Sequence, residues 1–507
     1  MKPVIIDGET LSIEDVVEVA RNYARVKLSE RAKLKITKAR KLIDKVVKEG
    51  KAAYGIKTGF GELCTIAIPQ KDVLQLQKNL IMSHASGVGN LLPENVVRAI
   101  ILIRANTLAK GCSGVRLELV EMLIELLNKK LVPCIYEKGS VGASGDLAPL
   151  AHLALTIIGE GDCLFNGRKI SAREALQRAG LKKLELQAKE GLALINGTSV
   201  MTAIAVLAVY DAENILKHSQ VASAISLEAL KGTDRAFDDR IMRARPHRGQ
   251  IEIANNLRKL LAKSEVIISH RECERVQDPY TIRCIPQVLG ASKDVLDWVR
   301  KITETEINSA TDNPLVFGNE LLPSGNFHGE HIAIAMDSLS IALAEIGSFA
   351  ERRIARLLDT KLSGLPPFLT DKSGLNSGLM ALQYTAAALA SENKCLAHPA
   401  SVDSIPTSAN QEDHVSMGTI SARKALEILR NVEYIVAIEF LCAAQGLEFN
   451  RPLKAGIGVE EAYKVIRKNV KKLGNDRVMH KDIEKIVSLI EEREILKAVE
   501  RAVGKLE

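Results

Sequence analysis

Four stretches of this chain, residues 199–231, 332–358, 379–397 and 417–446, are rich in Ala, Ile, Leu and Val, and each is longer than 18 residues. Several are apolar nearly all round. A helix of that kind has no solvated face to offer water and must be buried on most sides. Four of them together predict a mainly α fold built on a long helical bundle. So much Ala allows helices to approach closely and predicts further packing between copies of the chain. Composition agrees: 46% hydrophobic and 26% charged residues are the proportions of a globular chain. Aromatic residues, 9 Phe, 8 Tyr and 1 Trp, are few for an all-β core. The character of the sequence changes near residue 198. This predicts a smaller N-terminal globular part, 1–198, followed by the bundle and charged C-terminal surface helices, 199–507.

Several function classes lose support early. Lys and Arg total 69 against 62 Asp and Glu, so the net charge of +7 is spread thinly over 507 residues. That is no nucleic-acid stripe. Uncharged apolar runs such as 200–210 stop short of the roughly 20 residues of a membrane span, and the N-terminus lacks a signal-type apolar core. The eight Cys form no C-x-x-C pair and read as reduced thiols, which points to the cytoplasm. His328 and His331 make an H-x-x-H pair, but no third ligand follows at a recognisable spacing and H-E-x-x-H is missing, so no metal site is expected. Gly142-Ala143-Ser144-Gly145 is one residue too tight for a nucleophile elbow. P-loop and dinucleotide-binding glycine patterns are also missing.

The N-terminal part reads as a strand over 4–6, charged amphipathic helices, a Gly-rich loop at 54–61, and helices near 71–83, 93–110 and 115–130. Pro133 ends the last of these. Next comes Gly139-Ser140-Val141-Gly142-Ala143-Ser144-Gly145-Asp146, in which nearly every side chain is small, and then a helix starting near Asp146. On its own the run reads as a tight turn. It also has a chemical option. Gly145 lacks a Cβ, so its amide nitrogen can approach the Ala143 carbonyl carbon in a backbone geometry most residues cannot adopt. Closing that bond, with loss of one water from the ring and one from the Ser144 hydroxyl, leaves a five-membered ring bearing an exocyclic methylidene. Such a ring is a strong electrophile.

Gly142-Ala143-Ser144-Gly145-Asp146-Leu147-Ala148-Pro149-Leu150-Ala151-His152 resembles the signature of the aromatic amino acid ammonia-lyases. That family forms a 4-methylidene-imidazol-5-one (MIO) group from Ala-Ser-Gly. The resemblance continues in Tyr54-Gly-Ile-Lys-Thr-Gly-Phe-Gly61, Asn196-Gly197-Thr198, Gln277-Asp278-Pro279-Tyr280-Thr281-Ile282-Arg283, Thr311-Asp312-Asn313-Pro314, Gly325-Asn326-Phe327-His328 and Asn410-Gln411-Glu412-Asp413-His414. The blocks stand in the family's order from about residue 50 to 415. Within the family, Ser83-His84 and Glu412 resemble the histidine-specific branch; the tyrosine and phenylalanine lyases usually carry His-Leu or Phe-Leu and Gln there. A carboxylate can accept an imidazole N–H or hold imidazolium, whereas a phenyl ring gains nothing from a buried charge.

The resemblance implies an aspartase/fumarase-like helical fold, a homotetramer whose sites draw on more than one subunit, and elimination of ammonia from L-histidine to give trans-urocanate. MIO from Ala143, Ser144 and Gly145 would be the electrophile, with no external cofactor. Tyr54, Tyr280 and Glu412 are the candidate proton-transfer groups. Arg283 would grip the substrate carboxylate; His84, Asn196, Gln277 and Phe327 would bind substrate or the MIO oxygen. The electrophile could take up either the amine or the imidazole, and the sequence leaves both open. So too do a tyrosine or phenylalanine lyase, a 2,3-aminomutase and an inactive scaffold remain as alternative readings.

Overall fold

A computed structural model describes residues 2–49, 54–273 and 275–507. Helices dominate it. Strands occur as short two- and three-stranded pieces, the first being Val4–Ile6 paired in parallel with Val26–Leu28. The apolar stretches become the helices Ser199–Ala229, Glu330–Leu358, Met380–Leu396 and Gly418–Glu448. A fifth long helix, Ile285–Glu306, escaped the apolar criterion because it is amphipathic, with Lys, Asp and Glu along one side.

The chain forms two compact units, neither continuous in sequence. One comprises Met1–Tyr210, Arg300–Asp337 and Pro399–Arg423; the other comprises Asp211–Val299, Ser338–His398 and Lys424–Glu507. A single division at 198/199 does not describe them. The reason lies in the long helices: Ser199–Ala229, Ile285–Glu306, Glu330–Leu358 and Gly418–Glu448 each contribute residues to both units.

In the first unit, helix Glu94–Ala109 is buried along almost its whole length and packs against Ile13–Asn22 and Leu117–Asn128. Ser12 starts helix Ile13–Asn22 with a capping box: its hydroxyl accepts from the Asp15 amide while the Asp15 carboxylate accepts from the Ser12 amide. Three further helices, Val73–His84, Leu147–Ile157 and Glu190–Ile195, pack against one another. They matter because His84 ends the first, the 143–146 turn precedes the second, and Asn196 follows the third.

In the second unit, Arg353 on Glu330–Leu358 makes a two-pronged pair with Glu439 on Gly418–Glu448, at 2.6 and 2.8 Å, and both side chains are fully buried. Ser226 on Ser199–Ala229 donates to the same carboxylate at 2.7 Å. The C-terminal helices Ile457–Asn469, His480–Glu491 and Glu494–Val503 are amphipathic, each with one buried apolar face and one solvated face.

By length and overall composition Ser199–Ala229 and Glu330–Leu358 are apolar enough to cross a membrane, although charged residues interrupt both. Their most apolar windows are 83% and 67% buried inside the protein, as core helices are. Met380–Leu396, expected to be buried on most sides, buries only Leu382, Ala386 and Asn393, and Tyr384 is 63% exposed. Its Ala-rich surface has no partner among the described residues of the chain.

Candidate active site

Backbone conformation sets up the 139–146 turn. Gly142, Ser144 and Gly145 all have positive φ, of 83°, 50° and 83°. The Gly145 amide donates to the Gly142 carbonyl at 3.1 Å. A Cβ on Gly145 would lie 2.2 Å from the Gly197 oxygen, and one on Gly142 would lie 2.2 Å from Ser416 Oγ. Both positions therefore require glycine, for space as well as for φ. The Asn196-Gly197 segment clamps the turn from one side: the Gly197 amide donates to the Ser144 carbonyl at 3.0 Å, and the Asp146 amide donates to the Gly197 carbonyl at 2.8 Å. Ala143 packs against Val415 and Met417 on the other.

Asp146 anchors the turn. It is fully buried and accepts from the amides of Val200 and Met201 at 2.8 and 3.0 Å, from Thr419 Oγ1 at 2.5 Å and from Ser140 Oγ at 3.3 Å. The helix it caps is thus Ser199–Ala229, with the positive end of that helix's dipole on the carboxylate. Burial pushes the Asp146 carboxyl above its usual range, and the hydrogen bonds oppose that rise.

Tyr54, His84, Ser144 and Glu412 open on one cavity of about 500 Å3 whose remaining walls are largely apolar, among them Phe60, Leu80 and Leu147. His84 Nδ1 lies 2.9 Å from the Leu80 carbonyl, which can only accept, so Nδ1 carries the proton and Nε2 is left as an acceptor. Burial lowers the His84 pKa, against the Leu80 hydrogen bond and the Glu412 charge. Burial raises the Tyr54 phenol; a backbone hydrogen bond at Gly61 opposes the rise and the Glu412 charge adds to it. Glu412 Oε2 accepts from Thr407 Oγ1 at 2.7 Å. Beneath Glu412 the chain turns through three successive left-handed residues, Ser408, Ala409 and Asn410, with φ of 50°, 52° and 70°. Non-glycine residues persist in that region only where their surroundings hold them, a common feature of functional sites.

The chain matches the aromatic amino acid lyases over residues 11–468. It belongs to that family. Among its relatives, the histidine ammonia-lyase of Caldanaerobacter subterraneus subsp. tengcongensis is 56% identical, over 97% of each chain. The structure of histidine ammonia-lyase from Trypanosoma cruzi superposes with a TM-score of 0.92 at 44% identity, covering 99% of this chain and 96% of that one. Tyrosine aminomutase from Streptomyces globisporus is equally similar in fold, with a TM-score of 0.95 at 40% identity over the whole of both chains.

Not every expected residue of this lyase reaches the cavity, which is lined by first-unit residues only. Gln277, Tyr280 and Arg283 belong to the second unit. Gln277 is exposed and Tyr280 is 70% exposed. The Arg283 guanidinium lies 4.7 Å from the Tyr280 ring centroid, so the pair does project together from the helical turn begun at Pro279. Phe327, half-buried in the first unit, is not among the lining residues. Asn196 is buried beside the cavity residue Ile195; its Nδ2 donates to the Asn313 carbonyl at 3.3 Å while its Oδ1 has no partner.

The cradle suits an MIO ring. It holds the tripeptide in left-handed turns that exclude any Cβ at Gly145, and it already supplies a donor, the Gly197 amide, to the Ser144 carbonyl. Behind it lie charges that spacing did not reveal. Arg104 is fully buried; its Nη1 donates to the Asn196 carbonyl at 2.7 Å, its Nε and Nη2 have no partner, and burial lowers its pKa to about 10. Lys189 and Asp312 pair at 2.8 Å with no exposure at all. Glu306 accepts from Thr198 Oγ1 at 2.5 Å, and burial raises its pKa. The one available signal for Arg104 was its position as a charged residue within the apolar run 96–109.

Proposed function

We propose that this lyase removes ammonia from L-histidine to give trans-urocanate, using an MIO group formed from Ala143, Ser144 and Gly145. The observation that carries the reading is the meeting of His84 and Glu412 with Ser144 on one largely apolar cavity. Histidine's amine leaves poorly and its β-proton is barely acidic, so the reaction needs an electrophile and a placed base. The MIO group would supply the electrophile, a methylidene carbon conjugated with the Ser144 carbonyl.

The protein's own side chains do the rest. His84 Nε2 and the Glu412 carboxylate are both acceptors, a pair matched to the N–H groups of an imidazole or imidazolium ring. Burial and the Glu412 charge keep Tyr54 protonated, so it meets the substrate as a donor near the amine, while Glu412 is the ready proton acceptor. The apolar walls lower the local dielectric and so strengthen each of these interactions. Arg283 holds the substrate carboxylate, beside Tyr280. Asn196 has an unpaired buried oxygen to offer.

The proposal includes a cytoplasmic homotetramer in which neighbouring copies bring Gln277, Tyr280, Arg283 and Phe327 to the cavity. The exposed Ala-rich face of Met380–Leu396, the exposure of Tyr280 and the free thiols support this part of the reading. The closeness of the Streptomyces aminomutase favours a second reading, in which tyrosine is bound and ammonia returns to the β-carbon. Ultraviolet spectra of the enzyme incubated separately with L-histidine, L-tyrosine and L-phenylalanine decide between them. Urocanate from histidine alone is expected. Coumarate or β-tyrosine from tyrosine would overturn the specificity, and a protein of unreduced mass with no product would overturn the MIO reading.

A further inference from the structure

His328 and His331 fail as a ligand pair on sequence spacing, but the fold replaces His331 with a residue from a distant segment. His414 Nδ1 lies 3.3 Å from His328 Nε2, with ring centroids 5.4 Å apart and ring planes within 22° of each other. Glu330, the first residue of helix Glu330–Leu358, brings a carboxylate oxygen so that one ligand atom from each of the three lies within 4.8 Å of the others. Glu330 Oε2 is itself buried and has no hydrogen-bond partner. A carboxylate oxygen removed from water without a partner is costly, and a cation between these groups would meet that need.

We propose that His328, Glu330 and His414 form a binding site for a divalent transition metal of the zinc type. Two imidazole nitrogens held at about 2.0–2.1 Å from one tetrahedral ion stand roughly 3.3 Å apart. The two nitrogens here already have that separation, and a Glu330 carboxylate oxygen lies within 4.8 Å of both. Two imidazoles and one carboxylate suit Zn2+, Co2+ or Ni2+ and not Mg2+ or Ca2+, which prefer all-oxygen sites. The fourth position is open to solvent on the side of His414, which is exposed. The inference does not depend on which amino acid the enzyme takes. Occupancy would nonetheless tie together the segments carrying Phe327 and Glu412, one and two residues away from the ligands.

Co2+ is the probe, because tetrahedral cobalt absorbs visibly and thiolate ligation adds an intense near-ultraviolet band. The full-length protein, stripped with chelator and titrated with Co2+, is expected to bind one equivalent per chain with the visible bands and without the thiolate band. His328→Gln and His414→Gln are each expected to weaken binding at least about tenfold, while His331→Gln and His84→Gln leave it unchanged. Melting temperatures of the stripped variants, equal to that of the stripped parent, would show that the fold is intact. Equal binding by the His328 and His414 variants overturns the site. So does binding lost only in His84→Gln, which would move the metal to the cavity, or no binding at cobalt concentrations on the order of 1 mM. In that last case the two histidines are a hydrogen-bonded pair only.

Discussion

His84 and Glu412 carry the specificity argument, and their chemistry gives it a sign. Burial depresses the His84 pKa below 6.5, so the ring is neutral at physiological pH. A depressed histidine lends stability that is present above its ordinary pKa and lost as pH falls through the folded value. The acid limb of kcat/KM is therefore expected below pH 6.5 and absent in His84→Gln; a limb centred above 6.5 would exclude His84 as its source. Glu412→Gln keeps the shape and removes the charge, and kcat is expected to fall by about 10²–10⁴-fold. Arg104 presents the opposite case, a buried cation that touches no substrate. Arg104→Leu leaves the Asn196 carbonyl unpaired and Asp312 and Asp146 less compensated, and is expected to cost about 3–5 kcal/mol in denaturant unfolding. Arg104→Lys should recover part of that loss. The Ala-Ser-Gly turn was legible because the proposed ring closure needs those three residues in a row. Arg104 was not, because its neighbours come from positions up to 208 residues away.

Among elements, the helix Ser199–Ala229 links sequence to site most directly. Its apolar run announces the helix, but its start is held by Asp146, the last residue of the 139–146 turn. Asp146→Ala removes a cap, a change expected to cost about 1–2 kcal/mol, and it is expected to loosen the turn that holds Ala143, Ser144 and Gly145. Intact mass is the test: incomplete loss of two waters is expected, and full loss at the parent's rate would exclude Asp146 from ring closure. The sequence suggested that Asp146 begins the helix Leu147–Ile157; the structure shows its carboxylate serving a different helix. Sequence adjacency indicates which helix a residue precedes, whereas only packing determines which helix end its side chain reaches.

For the whole molecule, the arrangement of apolar surface is the informative feature. Met380–Leu396 has the composition of a core helix and the exposure of a surface one. Exposed apolar faces of that kind mark association. Light scattering at micromolar concentration is expected to give a mass near four times 55.3 kDa; a particle of 55.3 kDa would overturn the tetramer. Substituting Tyr384 and Ala388 with Glu should dissociate the assembly and abolish turnover, if neighbouring copies supply Tyr280 and Arg283.

The amino-acid sequence alone determined the helical class and the four apolar helices nearly to their ends; its resemblance to the family singled out Ala143-Ser144-Gly145 and the cavity residues Tyr54, His84 and Glu412. Periodicity, composition and glycine requirements are local properties, and local properties survive in a linear string. Tertiary structure decided which of the expected residues share a cavity, that Asp146 caps a helix 53 residues downstream, that Arg104 backs the turn, and that His414, not His331, stands beside His328. Each of these depends on the side chains that long helices bring together from distant positions, and no spacing rule records those meetings.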